Sequence, residues 1–119
     1  MQIQLIKPSI ILENTTFKQC RTYAKFEDRR CAIGSILENI SGWELGEGSE
    51  CSKFNGKYRC YGEIAHDMDK YFGSEQETFA CPCCVEGGEA RLGGVMMHLN
   101  DTHRLTFKEI AVWLRAIGH

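Results

Sequence analysis

The chain has 119 residues, 43% of them hydrophobic and 25% charged, with a formal net charge of −2 and a pI near 6.1. This predicts one soluble domain over 1–119 that buries roughly 60–70% of its unfolded surface, and it disfavours a protein whose main task is neutralising phosphate. The opening residues lack a basic region followed by a long apolar run, so no signal peptide or membrane span is expected, and the seven cysteines are assigned to a reducing, cytoplasmic setting.

Taken in order, residues 2–6 alternate and read as an edge strand ended by Pro8. Ile10, Ile11 and Leu12 run consecutively, a pattern shared by a helical turn and a buried strand. Residues 22–26 read as a short strand leading into the charged turn 27–30. Over 31–40, Ile33, Ile36, Leu37 and Ile40 fall at helical spacing and predict a core helix. Gly34 within it costs about 1 kcal/mol against Ala, which makes sense where another backbone packs closely on that face. Residues 41–57 hold Gly42, Gly46, Gly48 and Gly56 among Ser, Glu and Asn, and read as a long surface loop. Two aromatics in it, Trp43 and Phe54, are the candidate partner-binding residues, because exposed aromatics anchor interfaces; the alternative for Trp43 is to plug the end of the preceding helix.

Tyr61, Ile64, Ala65, Met68 and Tyr71 or Phe72 restore helical spacing, and Gly73 supplies a stop. Asp67 and Asp69 fall off that face and are assigned to its solvated side. Segment 79–103 then brings Cys81-Pro82-Cys83-Cys84, followed after thirteen residues by His98 and then by His103. Two thiols followed by two imidazoles is zinc-ligand order, near the C-x₂₋₄-C…H-x₃₋₅-H spacing. The predicted Zn²⁺ ligands are Cys81, Cys84, His98 and His103, with Cys83 an alternative to a neighbouring cysteine. An odd number of cysteines fits a closed disulfide framework poorly, which favours the metal reading. Asn100 and Asp101, between the histidines, read as caps or as hydrogen-bond partners behind the ligands. Gly87-Gly88 and Gly93-Gly94 predict turns. Finally, Thr106 and Glu109 form a capping box heading a helix over 106–117 with the stripe Phe107, Ile110, Trp113, Leu114 and Ile117.

Four filled positions make a structural zinc site, whereas catalytic zinc keeps one open for water. The predicted fold is therefore α+β, a small helix-rich domain with a short β element and a C2H2-like structural zinc knuckle. A zinc base deaminase needs H-x-E and then P-C-x-x-C, and neither His66-Asp67-Met68 nor Cys81-Pro82-Cys83-Cys84 meets those patterns. No thiol is singled out as a nucleophile, and Cys20 and Cys31 read as core residues. In a DNA-reading finger, helix positions −1, 3 and 6 face the bases; counting back from His98 puts Arg91, Gly94 and Met97 there, and only Arg91 can read one. The basic group Lys18, Arg21, Lys25, Arg29 and Arg30 is interrupted by Glu27 and Asp28 and reads as a solvated surface.

Tyr23-Ala24-Lys25 and Arg30-Cys31-Ala32-Ile33-Gly34-Ser35-Ile36, with the later Cys-Pro-x-Cys, His98-Leu99-Asn100-Asp101-Thr102-His103 and Ile110-Ala111-Val112-Trp113-Leu114, resemble a group of small bacteriophage proteins of uncharacterised function. The likeness covers most of the chain from about Phe17 onward. It implies a phage or prophage origin, a place of action in the cytoplasm of a host bacterium, and a zinc segment elaborated on a small helical core; it carries no activity with it. The expectation is a non-catalytic, zinc-binding regulator or inhibitor of host machinery, host defence included, whose partner is a host or phage protein. A nucleic-acid-binding regulator is the alternative, and a His-Asn-His-type nuclease built on His98, Asn100 and His103 is the least favoured reading.

Overall fold

The computed structural model describes residues 6–84 and 87–119. The edge strand expected over 2–6 lies outside these residues apart from Ile6. Pro8 opens α1 (Pro8–Asn14), where its fixed φ and missing N–H suit a first helical position. The apolar run 10–12 is thus helical, with Ile11 and Leu12 buried and Ile10 exposed. α1 packs on the last helix, and Ser9 is tied there by its N–H and hydroxyl, which donate to the His119 carbonyl at 3.3 and 3.1 Å.

Three two-residue strands follow: β1 (Lys18–Gln19), β2 (Lys25–Phe26) and β3 (Arg29–Arg30). β3 is central, parallel to β1 and antiparallel to β2. Arg30 is buried, unlike the solvated cation expected from the charged turn. Its Nε donates to Glu38 at 2.8 Å, its guanidinium also donates to the Glu27 and Arg29 carbonyls, and it lies 4.4 Å over the Phe17 ring. α2 (Ala32–Leu37) is shorter than the expected 31–40 span, and Cys31 is its N-cap, its sulfur accepting from Gly34 N–H at 3.2 Å. The helix is buried on every side. At Gly34 a Cβ would strike the Ala24 carbonyl oxygen, so the backbone approach expected from this glycine is present.

The surface loop expected over 41–57 is instead a sheet, β4 (Trp43–Glu44), β5 (Ser52–Phe54) and β6 (Lys57–Arg59), all antiparallel. Asn55 and Gly56 form the connecting turn with φ of 49° and 83°. Two successive positive φ angles define the type I′ turn that Asn-Gly favours, because its twist matches that of the flanking strands. α3 (Tyr61–Phe72) then runs as expected to Gly73, whose φ of 71° stops it. Asp69 departs from expectation. It is 1% exposed and faces α4, accepting from Gly93 N–H at 2.7 Å and from the Ser74 hydroxyl at 3.3 Å. Asp67 is half-buried and holds Arg59 through two bonds of 2.7 Å.

The hairpin β7 (Phe79–Ala80) and β8 (Glu89–Ala90) leads into α4 (Leu92–Asp101). Gly93-Gly94 lies inside α4 rather than in a turn. The reason is packing: a Cβ at Gly93 would strike the Ala65 carbonyl of α3, so the glycine permits the close contact that its low helix propensity argues against. α5 (Phe107–Ala116) begins at the capping box, with Glu109 N–H donating to Thr106 Oγ1 at 3.2 Å and Thr106 N–H to Glu109 Oε1 at 3.0 Å. The core is one cluster drawn from all five helices, with α2 at its centre. The architecture is a compact α+β domain of helices with small peripheral sheets.

Candidate metal centre

The thiols come from the loop of the β7–β8 hairpin, where Cys84 N–H returns to the Cys81 carbonyl at 3.4 Å. His98 comes from the last turn of α4. His103 follows in the turn after it, its N–H bonding the His98 carbonyl at 3.3 Å. Arg104 has a left-handed φ of 55°, and Leu105 N–H then returns to the Leu99 carbonyl at 3.0 Å, so the chain folds back against α4.

Hairpin and helix together bring Cys81, Cys84, His98 and His103 into one cluster whose donor atoms all lie within 4.8 Å of one another. The two Nε2 atoms are 3.0 Å apart, and Cys84 Sγ lies 3.4 Å from that of His98 and 3.3 Å from that of His103. A tetrahedron with metal bonds of roughly 2.0–2.3 Å has edges of about 3.3–3.8 Å, so these spacings are close to a common coordination shell. The two imidazoles stand at 89° with centroids 4.6 Å apart, so each can present its nitrogen without clashing with the other. Lone pairs that converge in this way repel unless a proton or a cation lies among them. This set of two thiols and two imidazoles can hold a metal ion. Cys83 is exposed and outside the cluster.

The Cys84 thiol is held above its ordinary pKa by its hydrogen bond with Cys81, by partial desolvation, and by the negative charge that Cys81 and Cys83 would carry, so an incoming metal must displace its proton. The adjoining recess, bordered in part by Gly88, Ala90 and Gly94, is about 200 Å³.

Asn100 and Asp101 connect the cluster to the core. Asn100 is 1% exposed, and its Oδ1 accepts from Ala32 N–H at 3.0 Å, at the head of α2, and from Gln19 at 2.7 Å. Its amide donates to the Cys20 carbonyl at 3.0 Å and to Asp101 at 2.7 Å. Asp101 accepts from Thr22 N–H at 3.0 Å and from the Tyr61 hydroxyl at 2.8 Å. Asn100 thus caps α2 from a distance, satisfying a backbone donor that the helix leaves unpaired. Cys-Ala-Ile-Gly and His-Leu-Asn-Asp-x-His, separate words in the sequence, are one physical unit.

Cys20 and Cys31 line the core, as expected. Burial pushes the Cys31 thiol up to about 12 and raises that of Cys20, so neither is an activated nucleophile. His98 is the seventh residue of α4; ahead of it, Arg91 is the exposed N-cap, Gly94 is exposed and Met97 packs on the core. Trp43 and Phe54 meet across β4–β5 with ring centroids 4.9 Å apart, and both are half-buried rather than exposed, Trp43 packing against the core. They border a cavity of about 420 Å³ also lined by Tyr71, Lys57, Arg59 and Lys70; the Asn55-Gly56 hairpin signal points to Lys57 and Arg59 on β6, whereas Lys70 and Tyr71 on α3 carry no such signal. Among the described residues no helix is long and apolar enough to cross a membrane. Set against family models, curated proteins and solved structures, the chain matches none, so its residues alone carry the functional argument.

Proposed function

We propose that this chain is a small phage-type protein that binds Zn²⁺ structurally through Cys81, Cys84, His98 and His103, and acts without catalysis as a protein-binding regulator or inhibitor of host machinery. The observation that carries the zinc reading is the convergence of two thiols and two imidazoles, with no carboxylate among the donors from the described residues. Cys and His donors in a tetrahedral set favour zinc over harder cations, which prefer oxygen. Filling all four positions from the protein leaves none for a reactive water. The order of hairpin with two cysteines, then a helix carrying one histidine in its last turn and a second in the turn beyond, parallels the ligand order of a C2H2 finger. Asn100 and Asp101 supply the second role: they tie the ligand-bearing end of α4 to α2.

The partner-binding surface in this proposal is the Trp43–Phe54 pair with Tyr71, aromatic anchors beside Lys57 and Lys70. A nucleic-acid-binding regulator is the second reading, favoured by the exposed Arg91 ahead of a helix whose seventh residue is a ligand. The two are separated by binding measurements on wild type, Trp43→Ala and Arg91→Ala. Under the first reading, a protein retained by wild type is lost with Trp43→Ala, a variant that still melts within a few degrees of wild type. Binding to generic DNA or RNA that falls steeply with salt and depends on Arg91 would instead establish the second.

A further inference from the structure

The β5–β6 hairpin carries two thiols that the metal cluster does not use. Phe54 and Lys57 close its two-residue turn, and Lys53 opposite Tyr58 and Ser52 opposite Arg59 follow toward its open end. Continued one step past its last pair, this register would set Cys51 and Cys60, which flank β5 and β6, opposite one another. Hydrogen bonding alternates along such a pair of strands. Asn55 N–H points to the other side of β5, donating to the Gly42 carbonyl at 2.9 Å. The Phe54 and Ser52 backbone groups therefore face β6, and Cys51 with Cys60 takes the next non-hydrogen-bonded position. There Cα atoms approach to about 4.5 Å, inside the roughly 4.4–6.8 Å that a disulfide spans.

The side chains agree with this register. Lys53 and Tyr58, the preceding non-hydrogen-bonded pair, meet with the ammonium 4.9 Å from the ring centroid. Cys51 and Cys60 border one cavity of about 210 Å³. Cys60 keeps an extended backbone, φ −76° and ψ 168°, before α3 begins. Both thiols are free and exposed; Cys20 and Cys31 are buried, Cys81 and Cys84 belong to the cluster, and Cys83, also exposed, lies away on the β7–β8 loop.

We propose that Cys51 and Cys60 form a reversible disulfide by exchange with a small-molecule disulfide such as oxidised glutathione. One thiolate attacks a glutathione sulfur, giving a mixed disulfide and releasing one glutathione thiolate. The second cysteine, deprotonated, attacks the protein sulfur of that mixed disulfide and expels the other glutathione. The two protein thiols lose two protons and two electrons, and the oxidant becomes two thiols. The bond joins the hairpin that carries Phe54 to the head of α3, which carries Tyr71.

The test incubates the full chain, supplied with zinc, with oxidised glutathione, then blocks free thiols in acid and maps peptides by mass. In a Cys83→Ser background, which removes the remaining exposed thiol, the expected product is lighter by two hydrogens, yields one Cys51–Cys60 cross-linked peptide pair, and reverts with dithiothreitol. Cross-linking is expected to run at least about tenfold faster in the folded chain than in urea, because the register holds the thiols together. Cys51→Ser should retain glutathione on Cys60, and Cys60→Ser should retain it on Cys51. Stable glutathione on both cysteines of one wild-type molecule, or a rate unchanged by urea, would overturn the assignment.

Discussion

Along α2 every residue from Ala32 to Leu37 is buried, whereas Pro82, Cys83, Cys84, Gly87 and Gly88, in the loop that carries two metal-type ligands, are all exposed. The helix is held by apolar area, at roughly 25 cal/mol per Å² removed from water, shared among many neighbours. The loop offers glycines and small side chains with little area to bury. What can fix it is a handful of directional bonds to one ion. Damage to the first region is therefore graded, while damage to the second is close to all-or-none. Asn100 belongs to both, since it sits between the two histidines and caps α2.

For the proposed zinc-bound protein, removing the ion is expected to produce the largest effect. Structural zinc is worth on the order of 10 kcal/mol in small fingers, so chelation or Cys84→Ser should raise amide exchange across 79–103 far more than in α2. Equal protection with and without metal would erase the contrast between the regions. Because binding displaces thiol protons, and Cys84 holds its proton above the ordinary thiol range, apparent metal affinity should fall as pH is lowered. A competition titration with a chromophoric chelator measures that slope.

Asn100→Ala tests the junction. It leaves the Ala32 N–H and the Cys20 carbonyl without this partner inside the core, and unsatisfied buried groups cost about 1–3 kcal/mol each. A loss of roughly 2–5 kcal/mol in urea unfolding is expected while the protein still binds one zinc. Stability within a few tenths of wild type would show that the two motifs are not coupled through this amide. Gly34→Ala probes the core alone. Its Cβ meets the Ala24 carbonyl, and overpacking of this kind costs about 1–3 kcal/mol. Gly62→Ala, exposed at the start of α3 with open space around it, is the control and should be neutral or stabilising by about 0.5–1 kcal/mol.

Asp69→Asn should give the smallest change, visible mainly in its pH dependence. Burial raises the Asp69 carboxyl above its ordinary pKa, opposed by its bonds to Gly93 N–H and Ser74. The folded state thus holds the proton after the unfolded state has lost it, and stability from this group declines as pH rises from the ordinary carboxylate range through the raised value. Asn keeps an acceptor for Gly93 N–H and does not titrate. Its stability relative to wild type should therefore increase across that window and level off above it; parallel pH profiles of the two proteins would contradict the buried setting of Asp69.

Much of the helical scaffold was readable from the chain. Gly73 and the Thr106–Glu109 box mark helix ends through local backbone chemistry, which needs no distant partner. Ile33, Ile36 and Leu37 mark a buried helix through periodicity, but its end at Leu37 is hidden because Ile40 remains buried in the turn beyond it. The sheet over 43–59 is obscured for a different reason: its glycine density resembles a loop and masks the Asn55-Gly56 hairpin signal between Phe54 and Lys57. The burial of Asp69 is not legible, because helical periodicity shows which face a charge is on but not that the glycine-bearing N-terminus of another helix is packed against it.

The sequence alone determined the donor chemistry of the candidate site, since two cysteines and two histidines in ligand order restrict what can bind whatever the fold. It also determined the helix caps and the need for a backbone beside Gly34, which follow from φ/ψ preference and the missing Cβ. Tertiary structure decided which donors meet, placing Cys84 in the cluster and Cys83 outside it. It also decided that Asn100 reaches Ala32, across 68 positions of chain. Such a contact depends on how α4 lies against α2, and that is set by the packing of their buried apolar faces in the common core rather than by any local preference of the residues that touch.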